Sequence, residues 1–378
     1  MELGLSDTQE MFLDATSKLL DERSGPGRLR ELIDDPAGFD RTTWDQGGQL
    51  GWYAMFVPEK YGGGSVSGAA VPDAAMVAEA MGSRLHTGPF LATNVVAFAL
   101  AEAARADLQE RFLPGLADGS LIGTWAVAGR DGDWSKSSGG LVAHPDGDGY
   151  RLEGTTSYVH DATTADLFLV TARTPEGPVQ LVVPTGAPGL TITPLDSLDL
   201  GRRLAEVHFS QTPVAGPDVV GEGEEAARAV ERQLQVALVL QCAETNGVTQ
   251  TALDMTVGYA KERVAFGRPI GSYQALKHRL ADHLMWLEGS FAATAYAATS
   301  VQEGRPDAAV AARIAKSHVG RWSTHTLHDC IQIHGGIGMT WEYDLHLYFR
   351  RAISNEVLYG APYDHMRHLV DLVEENER

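Results

Sequence analysis

The amino-acid sequence predicts an α+β protein in three parts: an N-terminal helical domain over residues 1–116, a middle antiparallel β-barrel or sandwich domain over 117–222, and a C-terminal four-helix bundle over 223–378. Two observations predict it. Apolar residues recur at helical spacing at both ends of the chain, whereas the middle carries short β-type runs divided by turn residues. Pro217 and Pro269 also bracket a proline-free run long enough for an unusually long helix. With 378 residues the chain exceeds one ordinary domain and can bury a large core.

In the first part, Ser6 and Gln9 form a capping-box pattern, and Phe12, Ala15, Leu19 and Leu20 follow at helical spacing. Ser24-Gly-Pro-Gly27 stops that helix. Trp44, Leu50 and Trp52 belong to shorter helical pieces, and Val71–Met81 and Pro89–Ala104 to two alanine-rich helices. The glycines of Pro58–Gly64 form a turn, since no Lys-Ser/Thr follows as a phosphate loop requires. In the middle part the strands are Ile122–Val127, Gly149–Leu152, Leu167–Ala172, Val179–Val183 and Ala205–Phe209. The last part holds long helices over Glu224–Arg263, Ser272–Gln302, Asp307–Ile333 and Trp341–Leu358, an antiparallel arrangement with short loops.

Composition excludes several functions. Hydrophobic residues make up 44%, so the chain is globular, and a formal net charge of −20 argues against a nucleic-acid surface. No apolar run is long enough to span a bilayer, and the acidic N-terminus lacks a signal-peptide layout. Cys242 and Cys330 are expected to be core thiols of a reducing compartment. A soluble cytoplasmic protein without membrane association is the expectation. His325 and His328 share a helix face, but no third ligand is visible, so helix packing explains them and no metal is expected.

The chain is organised around Asp254–Asp282. Lys261 and Arg263 suit the end of one helix; Phe266-Gly-Arg-Pro269 breaks it; Ser272 is placed to cap the next, with Gln274 in its first turn. An arginine, a bare glycine and a helix N-terminus together suit a phosphate-bearing ligand, although a capped helix hairpin accounts for the same residues. A second glycine-rich stretch follows: Gln332, Gly335, Gly336, Gly338, then Glu342-Tyr343 and Arg350.

These two stretches, in this order and spacing, resemble the flavin-contacting hairpin and the C-terminal glycine motif of the acyl-CoA dehydrogenases, and the resemblance runs the length of the chain. It implies that family's fold, an FAD cofactor, an acyl-CoA thioester substrate, a dimer or tetramer, and a soluble electron-transfer flavoprotein as acceptor. It further implies that Arg263, Phe266 and Gln274 meet the phosphate and adenine side of a neighbour's FAD, and that Gln332, Gly335 and Gly336 let the backbone approach it closely.

Other family features are absent. The resemblance places Tyr359 where the family carries its catalytic glutamate. A phenol with a pKa of about 10 is roughly a thousandfold short of its basic form at neutral pH, a handicap of about 4 kcal/mol. The alternative base position falls on Ala237, and the substrate-holding Asp-x-x-Arg becomes Gln235 and Leu238. Glu244 lies two turns on, roughly 10 Å along the axis, and cannot take the same place. Trp125–Gly129 replaces the flavin-ring Thr-Glu, and Thr156–His160 replaces the second ring segment, keeping an aromatic at Tyr158.

Loss of the base beside intact outward motifs suggests a subunit that completes a homologous catalytic partner's site, as in some bacterial enzymes of steroid side-chain degradation. Three other readings stay open: a homo-oligomeric dehydrogenase with a relocated base at Asp364 or Tyr359, an oxygenase or nitroalkane-oxidase type of flavin reaction, and a scaffold subunit without flavin.

Overall fold

A computed structural model describes residues 4–103, 105–129, 134 and 140–376. Residues 1–3 of the expected first part and 377–378 of the last lie outside the described residues. Six helices come first: α1 (Asp7–Arg23), α2 (Pro26–Leu32), α3 (Arg41–Leu50), α4 (Ala70–Ser83), α5 (Phe90–Ala103) and α6 (Ala106–Asp118). The reciprocal Ser6/Gln9 capping box starts α1 as expected.

Eight strands follow: β1 (Gly123–Ala126), β2 (Leu141–Asp146), β3 (Gly149–His160), β4 (Leu167–Thr174), β5 (Gly177–Pro184), β6 (Leu190–Leu195), β7 (Leu204–Val214) and β8 (Val219–Glu222). They form one sheet in the order β6-β7-β3-β2-β4-β5-β8, with β1 beside β4. The sheet is mixed rather than wholly antiparallel: β1 and β2 both pair with β4 in parallel, in the first case with Trp125 opposite Leu169. Both faces of β4 are buried, which is why it reads as a continuous apolar run. Leu167 and Leu169 join the core shared with the helices, whereas Phe168, Val170 and Ala172 join the sheet's own core.

The last part holds α7 (Gly223–Glu262), a two-stranded hairpin of β9 (Val264–Ala265) and β10 (Arg268–Pro269), α8 (Gln274–Gln302), α9 (Ala308–His334), α10 (Leu345–Val357) and α11 (Pro362–Asn376). At 40 residues, α7 runs about 60 Å. It is bound to β5 by a reciprocal amide pair, Gln180 and Gln233, at 2.7 and 2.8 Å. Ser272 does not cap α8. It lies in a short 3-10 turn, its buried Oγ has no partner among the described residues, and Tyr273 precedes the helix without a side-chain cap.

Helices α4 and α7 cross at van der Waals limits because two glycines meet backbone. A Cβ on Gly247 would stand 2.0 Å from the Glu79 carbonyl oxygen, and one on Gly82 would stand 2.0 Å from that of Glu244. Gly247→Ala is therefore expected to destabilise the fold by roughly 2–3 kcal/mol or more, through overpacking that backbone cannot relieve. Urea unfolding checks this against Gly258→Ala, where a Cβ meets nothing within 4 Å.

Candidate functional site

The end of α7 and the end of α9 are brought together by rings. Tyr259 stacks on His334 with centroids 4.3 Å apart, and its hydroxyl donates to the His334 carbonyl at 3.4 Å. His334 in turn meets the Tyr343 hydroxyl through Nε2 at 3.0 Å. The hairpin and the glycine turn thus sit side by side. Arg263 closes α7 with an exposed side chain that has no partner among the described residues. Gln274 opens α8 and Gln332 lies in the last turn of α9, both exposed. Gly335 adopts a positive φ of 66°, and a Cβ at Gly335 or Gly336 would meet nothing within 4 Å, so open surface lies in front of both.

The hairpin tip is strained and uncovered. Phe266 (φ 52°) and Gly267 (φ 81°) both adopt the left-handed conformation, as a two-residue type I′ turn requires. Glycine adopts it freely, but for phenylalanine it costs on the order of 1 kcal/mol or more. The side chain recovers nothing among the described residues, being 97% exposed. Val264, Ile337, Met339 and Trp341 are also exposed. This surface holds a free cation, a helix N-terminus with unsatisfied N–H groups and two bare glycines, which suits the phosphates of a dinucleotide approached from outside.

Tyr359, Ala237 and Asp364, the positions weighed for a base, sit in different surroundings. Tyr359 is 3% exposed and has a positive φ of 62°. Its backbone is clamped: Lys316 Nζ donates to the Leu358 carbonyl at 2.8 Å, and His365 Nε2 donates to the Tyr359 carbonyl at 2.9 Å. The ring lies against Trp134 (4.7 Å), His160 (5.5 Å) and Trp125 (6.0 Å). Burial pushes the phenol further above its ordinary value, so it is no base at neutral pH. Ala237 is fully buried in the helical core. Asp364 is an exposed residue in the first turn of α11, accepting the Ala361 N–H at 3.2 Å.

Family models for the acyl-CoA dehydrogenase N-terminal and C-terminal domains match residues 6–120 and 227–369. A relative from Mycobacterium tuberculosis (strain ATCC 25618 / H37Rv), acyl-CoA dehydrogenase IpdE2, is 33% identical over 96% of both chains.

The chain belongs to the acyl-CoA dehydrogenase family.

Two solved structures agree over nearly the whole chain. The Tcur3481–Tcur3483 steroid ACAD matches with a TM-score of 0.89 at 29% identity over 98% of both chains. The ChsE4–ChsE5 complex from Mycobacterium tuberculosis matches with a TM-score of 0.89 at 29% identity over 99% of both chains. Members of this family use FAD and are oxidoreductases.

The chain's residues fit that cofactor unequally. The outward surface around Arg263 and Gly335 fits a phosphate-bearing ligand. Beside Trp125 and His160, in the two segments expected to meet the flavin ring, Tyr359 leaves no space for an inserted ring. A ring inserted between two flanking planes needs them roughly 7 Å apart, and Tyr359 lies closer than that to Trp134, His160 and Trp125.

Behind this aromatic cluster lies a charged one that sequence reasoning did not assemble. Arg351, 1% exposed, pairs through Nε with Asp199 and through Nη1 with Glu244 at 2.8 Å. Arg202 also pairs with Glu244 and donates to Asn355 at 2.7 Å, while Asn355 donates to Glu244 at 2.9 Å. Burial works to raise the Glu244 pKa, but Arg202, Arg351 and the Asn355 amide hold it down to about 2. For Asp161 burial wins over the three nearby arginines and pushes it up to about 7. The one available signal was position: Glu244 falls on the face of α7 marked by Ala237, Gln241 and Val248, all of them buried.

The histidines weighed for metal face different neighbours. His325 packs among Trp286, Trp322 and His283, while His328 lies against Phe349. Among the described residues no group of metal ligands forms. No helix is long and apolar enough to cross a membrane.

Asp161 has a clear pH signature. Its folded pKa of about 7 lies above the ordinary 3.8, so it holds its proton as pH rises while the unfolded chain loses it. Its contribution is intact below pH 4 and is lost between about pH 4 and 7. Asp161→Asn is expected to stabilise the protein by a few kcal/mol at pH 8 and hardly at all at pH 4, as read by thermal or urea unfolding at both pH values.

Proposed function

We propose that this chain is the base-lacking subunit of a heteromeric, FAD-dependent acyl-CoA dehydrogenase. Its homologous catalytic partner supplies the carboxylate that takes the α proton of the acyl thioester, and this chain supplies Arg263, Phe266, Gln274, Gln332, Gly335 and Gly336 to the outer side of the partner's FAD. The observation that carries the reading is Tyr359, a buried phenol packed against Trp125, Trp134 and His160 where the family keeps its base. The strained, uncovered Phe266 supports a neighbour seated on the hairpin.

The substrate class in this reading is a steroid-derived or similarly bulky acyl-CoA. The likeness to a steroid ACAD and to the two-chain ChsE4–ChsE5 complex supports it. Reduced flavin passes its electrons to a soluble electron-transfer flavoprotein. The assembly is a tetramer of two chain types working in the cytoplasm.

Tyr359→Phe, co-purified with the partner, is expected to keep kcat within about threefold of the parent, while Arg263→Ala weakens FAD retention about tenfold or more. Steady-state dehydrogenation with an artificial electron acceptor and flavin release on dilution measure the two. Loss of turnover in Tyr359→Phe would instead favour a homo-oligomeric enzyme with a relocated base.

A further inference from the structure

A groove of about 240 Å³ crosses the seam between the N-terminal helices and the sheet. One bank is the loop after α2, with Ile33, Asp34, Asp35 and Pro36. The other is built by the turn after β3, the end of β6 and the start of β7. There Leu195 lies opposite Leu204, and Pro194 opposite Ala205, so strand pairing sets that bank. None of Trp125, Trp134, His160 and Tyr359 lines the groove, and neither does any residue of the hairpin or the glycine turn.

The two banks are tied together by Arg203, just before β7. Its guanidinium donates to the carbonyls of Leu32, Ile33 and Asp35 at 2.7, 2.8 and 2.9 Å, and to that of Leu200 at 3.0 Å. The cation thus closes the C-terminal end of α2, where positive charge is favoured, and its N–H groups are taken up by carbonyls. The carboxylates are left over. Asp34 and Asp35 are exposed and form no ion pair among the described residues. Asp35 accepts the Ala37 N–H at 2.8 Å through one oxygen only.

The chemistry of an occupant follows from these walls. A concave, mostly apolar surface with a few polar groups is the form of small-molecule sites. An apolar cavity of about 150 Å³ takes a benzene ring, so this groove has room for a ring and a few further carbons. Two carboxylates without ion pairs attract a cation and repel an anion. We infer that the groove is a binding site for a compact organic ammonium ion, with its apolar body against Ile33, Pro36, Leu195 and Leu204 and its ammonium group on Asp34 and Asp35. The inference is independent of which chain carries the base.

Calorimetric titration of the full chain at pH 8 tests it with four probes: cyclohexylmethylamine, cyclohexylmethanol, cyclohexanecarboxylate and methylamine. Saturable binding of cyclohexylmethylamine alone is expected. Equal binding of the alcohol or the acid removes the role of the carboxylates. Equal binding of methylamine removes the role of the apolar walls. Either result, or no binding of cyclohexylmethylamine, overturns the inference. Asp34→Asn combined with Asp35→Asn keeps an acceptor for the Ala37 N–H and is expected to weaken the amine about tenfold or more. Thr163→Trp adds an indole at an exposed position of the groove and is expected to abolish binding. Unchanged affinity in either variant overturns the site, and the four probes on the parent protein decide the matter even if a variant does not fold.

Discussion

The pairing of Glu244 with Arg351 and Arg202 is the constraint on which the rest of the structure depends. Charges this deeply buried cost several kcal/mol each unless they are matched in geometry and hydrogen-bonded. Here the partners come from every part of the chain: Asp199 and Arg202 from the segment between β6 and β7, Glu244 from α7, Arg351 and Asn355 from α10, and the His86 carbonyl from the turn between α4 and α5. None is satisfied until all are assembled. The cluster therefore couples the helical and sheet parts into one cooperative unit and sets how closely α10 approaches α7.

That approach has a chemical consequence. α10 ends where Lys316, buried on α9, donates to the Leu358 carbonyl, and the next residue is Tyr359. Burial lowers the Lys316 pKa to about 8, so near neutral pH the ammonium is still available as a donor. The turn at Tyr359 is thus rigidly held and presents a phenol to three rings. Phe266 bears backbone strain that no contact among the described residues offsets.

Much of the fold was legible because its signals are local. The capping box, the long proline-free helix and the break at Phe266–Pro269 are each written in a few adjacent residues. The strands were only partly legible. β3 continues to His160 through register shifts at Leu152/Gly154 and Thr156/Val159, where alternation fails. β6 is a half-exposed edge strand with little apolar signal, and β8 has only four residues. Parallel pairing on β4 has no local signature, since it joins segments distant in sequence. The Ser272 cap failed because the chain takes a 3-10 turn there. At the candidate site, the identities of Tyr359 and Ala237 could be read from the chain, but the contacts of Tyr359 with Trp125, Trp134 and His160 could not. Those contacts join four distant positions, as does the charged cluster behind them.

The amount of flavin per chain decides between a split site and a self-sufficient one. The visible spectrum of the chain purified alone, and again with its homologous partner, measures it. Colourless protein is expected alone and, with the partner, a yellow complex holding one FAD for every two chains. Stoichiometric FAD on the chain purified alone would contradict it, because the ring site would then be open despite Tyr359.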